Sequence, residues 1–413
     1  MAAESISLAE GPIRAAGTAR AAGSAAGPRP AAAEDASRLL ALVLALASVG
    51  IVMVWSTSAL EAERPRPDNP YLGDPTFFLR RQVLWTMLAS IGLAIAWATD
   101  YRRVLSLWRP ALAGVGALLV GVLLTPSVKG AHRWFDLGGI HLQPSELGKL
   151  AAILFLAHHC ADRERIRTRK GALTGFGVLF GLVGLIAVEP DMGTAALVAG
   201  TGTLMLLVAG VRLREALAVG IVALPLFAFY AAARFEHVKT RISVFLNPDA
   251  DPMGKGYQIR QALIALGSGG PTGLGLGESK QKLFFLPDDH TDFILAILGE
   301  EAGLVGTLVV LALFAGLVVT GYRIALQARD RQGFLLAFGI TTIVGLQAAM
   351  NMAVVTASMP TKGISLPFVS FGGSSLLVAM SGIGLLLSVA SRAAHGEPDA
   401  GPEAPSASVP LPA

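Results

Sequence analysis

Residues 287–292 read Pro-Asp-Asp-His-Thr-Asp, and an apolar run begins at Phe293. Asp292 or Thr291 is well placed to cap a helix starting there, because a carboxylate is favoured at the positive end of the helix dipole. The same position sets the Asp292 carboxylate at a boundary between water and lipid. There it could take a proton from the hydroxyl of a substrate whose tail lies in the bilayer. From position alone, capping is the simpler reading. His290 is equally readable as an interfacial side chain. Asp288, Asp289 and Asp292 supply oxygen ligands that would suit a divalent cation such as Mg or Mn, but without the spacing of an EF-hand.

Other polar residues fall where lipid is expected. Glu300 and Glu301 lie farther along the same run, about 12 Å deeper at the helical rise, and ionisable groups at such depth should face protein or water. Their simpler reading is a structural ion pair. Glu146 and Lys149 stand three residues apart and can pair with each other. Before them, Arg133 and Trp134 open a segment that ends in Gln143, Pro144 and Ser145, with Pro144 suited to a first helical turn. Trp134 fits an interfacial anchor as well as a ligand contact. Residues 359–375 hold two prolines and three glycines around Lys362, which forbids a continuous helix. A re-entrant or surface loop is expected there, carrying Lys362 toward the segment before Asp292.

The elements that position these residues are set by composition. The chain has 413 residues, 53% hydrophobic and 15% charged, with mean hydropathy +0.59. Soluble domains carry about 25% charged residues, so a polytopic membrane protein is expected. Cys160 is the single cysteine, which excludes a disulfide framework or a cysteine-based zinc fold. Net charge +4 is assigned to cytoplasmic loops rather than to nucleic-acid binding. Residues 1–38 are rich in Ala, Gly, Pro and Arg and read as a disordered arm, as does the tail 392–413.

Ten apolar runs follow, at about 39–59, 82–99, 110–126, 143–160, 172–188, 192–210, 214–234, 292–320, 333–357 and 373–391. The expected fold is an all-α body of ten transmembrane helices spanning 39–391, with a large extracytoplasmic loop at 235–291 between the seventh and eighth. Arg in the short loops places both termini inside. Six of eight lysines, Lys282 and Lys362 among them, fall in outer loops. In the long loop, Tyr257 to Leu266 is expected as a short amphipathic helix and the glycines after it as tight turns. Backbone of this kind is tolerated near a bilayer only where it is buried in protein or lines a wet cavity.

Five separated motifs occur in order: RWFDLGGIHLQPSELGKL, EPDMGT, GKGYQIRQALIALGSGGPTGLGLGESKQK, LPDDHTDFILAILGEEAGLVG and MPTKGISLPFVSFGGSS. Together they resemble the SEDS family of bacterial shape, elongation, division and sporulation proteins, over about residues 40–391. Thr361-Lys362-Gly363 is similar to the division members; elongation members tend to show Val-Thr-Gly. The resemblance implies polymerisation of lipid II into peptidoglycan strands at the outer face of the cytoplasmic membrane. It implies Asp292 as the catalytic carboxylate and gives Lys362, Trp134 and Glu300 a part in activity or activation. Arg133, Lys149, Lys282 and His290 join them as candidate substrate contacts. It also implies a class B penicillin-binding protein as partner, with other division membrane proteins. Asp288 stands where relatives often have Glu, and Phe371 where they often have Tyr. A lipid II flippase is the rival reading, through Glu189, Asp191, Glu300 and Glu301; its sign would be an inverted repeat of broken helices, which the sequence does not display. A non-catalytic scaffold is the third.

Overall fold

The computed structural model describes residues 30–63, 74–125, 132–136, 141–234, 243–245, 247, 254–283, 286, 291–360 and 363–395. It is mainly helical. In chain order the helices are α1 (Pro30–Glu63), α2 (Phe77–Ala98), α3 (Tyr101–Ser106), α4 (Trp108–Val122), α5 (Pro144–His159), α6 (Arg163–Arg167), α7 (Arg169–Val188), α8 (Met192–Val208), α9 (Leu213–Arg234), α10 (Lys255–Ser268), α11 (Ile294–Gln327), α12 (Arg331–Val355) and α13 (Gly373–His395). Seven of them, α1, α2, α7, α9, α11, α12 and α13, are long and apolar enough to cross a membrane. The helices α4 and α8 are apolar but shorter, and α5 carries Glu146 and Lys149. The protein is thus a multi-pass helical membrane protein.

The centre is built from α5, α12 and α13, which bury most of their side chains. Around them α13 lies along α2, α1 against α11, and α4 and α8 against α5. Close approach rests on small residues, since lipid tails offer no hydrophobic drive between helices. At Gly384 of α13 an added Cβ would stand 2.3 Å from the Leu93 carbonyl oxygen of α2. By contrast α9 is peripheral, and Ile221 and Phe229 face outward.

Four features differ from expectation. Residues 30–38 are helical rather than part of an arm, because Asp35 is 1% exposed and draws them into the body. Its carboxylate accepts from Gln327 Nε2 at 2.8 Å and lies 3.4 Å from Arg323 Nε of α11. At the other end α13 runs to His395, past the expected boundary at 391. A two-stranded antiparallel hairpin also stands in the otherwise helical fold, β1 (Phe135–Asp136) pairing with β2 (His141–Leu142). The expected helix at Tyr257 to Leu266 lies inside α10. Residues 1–29 and 396–413, which hold the rest of the arm and tail, lie outside the described residues.

The fourth difference is a break in α11. Gly303 adopts φ 67° and ψ −165°, which interrupts the helix just after Glu300 and Glu301. Only glycine takes this backbone without strain. Four of the freed groups are re-paired with the glycine-rich segment. Leu274 N donates to Glu300 O and Gly275 N to Glu301 O, each at 3.0 Å. In return Leu304 N donates to Gly270 O at 2.9 Å and Val305 N to Pro271 O at 3.1 Å. A broken helix is therefore present where the sequence displays none. Its carbonyls are spent on protein rather than turned to a cavity, which is not the arrangement a transport path uses.

Candidate active site

Asp292 lies in the turn that leads into α11, and the cap position falls on Phe293, with no side-chain cap bond from it. What fixes the turn is a set of polar side chains from other elements. Asn351 Nδ2, on α12, donates to Asp292 O and to Ile364 O, each at 2.8 Å. Ser370 Oγ donates to Thr291 O at 2.6 Å and accepts from Leu366 N at 2.8 Å. The turn is thus sewn to residues 363–370, in the loop expected after Met359. At Gly363 an added Cβ would stand 3.0 Å from Asp292 Oδ2. The carboxylate therefore lies directly against Gly363, beside the position of Lys362. Lys362 itself and His290 lie outside the described residues, as do Asp288 and Asp289.

A second layer supports that segment from within the bundle. Gln347, one helical turn before Asn351, donates from Nε2 to Ser365 O at 2.9 Å. Its Oε1 accepts from Lys149 Nζ at 2.8 Å, and Lys149 pairs with Glu146 at 2.6 Å. Lys149 and Glu146 are 6% and 5% exposed, so the pair expected from their spacing is buried and is extended to α12.

The hairpin docks from the other side. Arg133 Nε donates to Glu189 O at 3.1 Å, and the same guanidinium donates to Pro190 O. Trp134 meets the His141 ring edge-on, 6.4 Å between centroids. Asp191 caps α8 through Thr194 N at 3.2 Å and accepts from Gln143 Nε2 and Ser145 Oγ, each at 2.9 Å. Next to it, a Cβ on Gly193 would touch Ile364 at 2.8 Å, so the turn at 189–193 abuts the segment that backs Asp292. Glu189 is fully buried and neither carboxyl oxygen has a hydrogen-bond partner. Burial first, then the Asp191 charge, push its carboxyl up to about 8 against the opposing pull of Arg133.

Glu300, Glu301 and Lys282 gather elsewhere, in a clasp over the break in α11. The Glu300 carboxylate accepts from Ser279 Oγ, from Lys280 N and Gln281 N at 3.2 Å, and from Ser268 Oγ at 3.3 Å. Glu301 accepts from Ser56 Oγ of α1 at 2.6 Å and pairs with Lys282 Nζ at 3.1 Å. The Lys282 ammonium also donates to Gly277 O at 2.5 Å, and the residue is 6% exposed. These three side chains hold the glycine-rich segment onto α11 and α1. Among the described residues no three His, Cys, Asp or Glu side chains gather as ligands for a metal ion.

A family model described as cell cycle protein, for FtsW, RodA and SpoVE, matches residues 37–395. The chain belongs to this family. A probable peptidoglycan glycosyltransferase FtsW of Trichlorobacter lovleyi is 42% identical over 360 residues, covering 86% of this chain and 92% of the relative. The stage V sporulation protein E of Bacillus subtilis is 38% identical over 357 residues, covering 85% and 95%. Among solved structures, a chain from a study of polymerization and crosslinking by a peptidoglycan synthase complex aligns with TM-score 0.68 at 27% identity, covering 86% of this chain and 97% of that one. The rod shape determining protein RodA of Thermus thermophilus aligns with TM-score 0.62 at 28% identity, covering 86% and 96%.

Asn351, Gln347 and Ser370 were not among the sequence candidates. The signal for the first two was present, an amide pair spaced four residues apart inside an apolar run, where polar groups are costly and seldom idle.

Proposed function

We propose that this protein is a peptidoglycan glycosyltransferase that polymerises lipid II during septal wall synthesis. The observation that carries the reading is the Asp292 carboxylate set against Gly363, with its backbone pinned by Asn351 and that of Thr291 by Ser370. Such fixing supplies the orientation that a general base requires. The acceptor brings the 4-hydroxyl of an N-acetylglucosamine, whose oxygen attacks the anomeric carbon of the donor. The bond from that carbon to the lipid diphosphate breaks, the diphosphate leaves with the bonding electrons, and Asp292 takes the hydroxyl proton. Attack opposite the leaving group turns an α linkage into a β-1,4 bond, so the reaction inverts and one carboxylate is enough.

Charge on the departing diphosphate is left to outer cations, with Lys362 beside Gly363 the first of them. Lys282 serves by holding its loop, since its ammonium is spent on Glu301 and Gly277. Arg133 and Trp134 act through the hairpin on the turn at 189–193, and His290 stands two residues before Asp292. A divalent cation such as Mg or Mn would take its oxygen ligands from the carboxylates of Asp288, Asp289 and Asp292.

The ten apolar runs are read as ten crossings, with 235–291 on the outer side and both termini cytoplasmic. A class B penicillin-binding protein of the division machinery is the partner, crosslinking the strands made here. The test is purified full-length protein, with and without that partner, given labelled lipid II. Glycan chains are expected from the wild type and none from Asp292→Asn. Movement of lipid II across vesicles without polymerisation would favour the flippase instead.

A further inference from the structure

Buried polar side chains behind the site form a connected line that the chemistry above does not use. Gln347 and Asn351 lie one turn apart on the same face of α12 and reach successive carbonyls, Ser365 O and Ile364 O. The segment they hold, residues 363–366, is neither helix nor strand. Backbone of that kind inside a membrane protein must find partners in side chains. Asn351 also donates to Asp292 O, so one amide nitrogen ties the two segments that meet at the carboxylate. Any slide of Asp292 past Gly363 breaks one of its two bonds.

The orientation of Gln347 is set by chemistry. A lysine ammonium only donates, so Lys149 must face Oε1, which turns the Nε2 donor toward Ser365 O. Glu146 in turn holds the ammonium. A small cleft, lined mainly by apolar side chains of α5, α12 and α13, adjoins Lys149 and Gln347. A lysine there could be read as a contact for substrate, but both of its recorded partners are protein.

We propose that Gln347 and Asn351 are positioning residues for Asp292, and that Lys149 acts on the site through Gln347 rather than by touching substrate. The proposal rests on Asp292 being the general base.

The test is a double-mutant cycle on the purified full-length protein, reading kcat and KM for lipid II. Lys149→Met and Gln347→Met should each lower kcat about tenfold, the scale of one lost buried hydrogen bond, with KM within about twofold. The double variant should fall no further, because both changes release the same carbonyl. A loss in the double variant equal to the product of the singles, about a hundredfold, would show Lys149 acting independently and overturn the proposal. So would a rise in KM alone for Lys149→Met. Gln347→Glu keeps an acceptor for Lys149 and strengthens that pair, yet removes the donor to Ser365. It should be as slow as Gln347→Met although folded, and it takes that variant's place in the cycle if Met prevents accumulation. Normal turnover in Gln347→Glu overturns the proposal. Asn351→Ala, losing both bonds, should cost about a hundredfold in kcat by the same scale. If Asp292→Asn is inactive while Asn351→Ala turns over normally, the suture fails and the base stands. If Asp292→Asn is active, it is the base that fails.

Discussion

The Asn351 amide nitrogen stands 2.8 Å from the carbonyl oxygen of Asp292 and 2.8 Å from that of Ile364. A helix in the centre of the bundle thereby joins the start of α11 to the loop before α13. The position of the carboxylate is consequently a property of three elements, and side chains remote from substrate can control it.

Gly363 is the closest such control. An added methyl would stand 3.0 Å from Asp292 Oδ2, too near for comfort with the carboxylate in place. Gly363→Ala should leave folding intact and lower kcat about tenfold, since sub-ångström displacement of a catalytic group is costly. Gly363→Val should cost more. Rates on lipid II, with melting temperature as the folding control, check this; an Ala variant as fast as wild type would mean that the carboxylate does not work from this position.

The clasp gives a stability prediction. Glu301→Ala leaves the Lys282 ammonium buried without its ion pair, and losses of this kind run to about 3–5 kcal/mol. Replacing both, with Glu301→Gln and Lys282→Met, removes the stranded charge and should restore most of the melting temperature. Unfolding in detergent monitored for the three proteins tests the sign. Equal losses in the single and double variants would contradict the pairing.

Glu189 gives a prediction in pH. Its carboxyl holds a proton in the folded protein up to about 8, against a reference value of 4.5. Between those limits the folded state binds a proton that the unfolded chain has lost, so stability falls as pH rises through the window and levels off above it. Glu189→Gln cannot ionise. Its melting temperature relative to wild type should therefore rise from pH 5 to pH 8 and stay level beyond. A constant difference across that range would show that the buried carboxyl is not held neutral.

Much of this was legible in the residues, for physical reasons that differ by element. Apolar runs marked the helices because lipid tolerates little else, and the fault at Asp35 shows the limit of that signal. A short polar stretch can still be helical when a buried carboxylate finds Arg323 and Gln327 on another helix. The pairing of Glu146 with Lys149 followed from their spacing, whereas its extension to Gln347 depends on a contact 198 residues away in sequence. Gly303 looked like any helical glycine, and its break becomes visible only with the partner strand of backbone at 270–275 in place. Glu300 and Glu301 were readable as members of an ion pair, but their partners in the clasp, Ser279, Ser56 and Lys282, lie on other parts of the chain and leave no mark on the local sequence.

The account turns on the proton taken at residue 292. The direct measurement is glycan-chain formation from labelled lipid II by purified Asp292→Asn, compared with wild type at equal protein and with equal melting temperature. The amide keeps the size of the carboxylate and cannot serve as a base at neutral pH. Loss of all polymerisation in a folded, membrane-inserted protein is the predicted result; chains made at the wild-type rate would contradict the assignment.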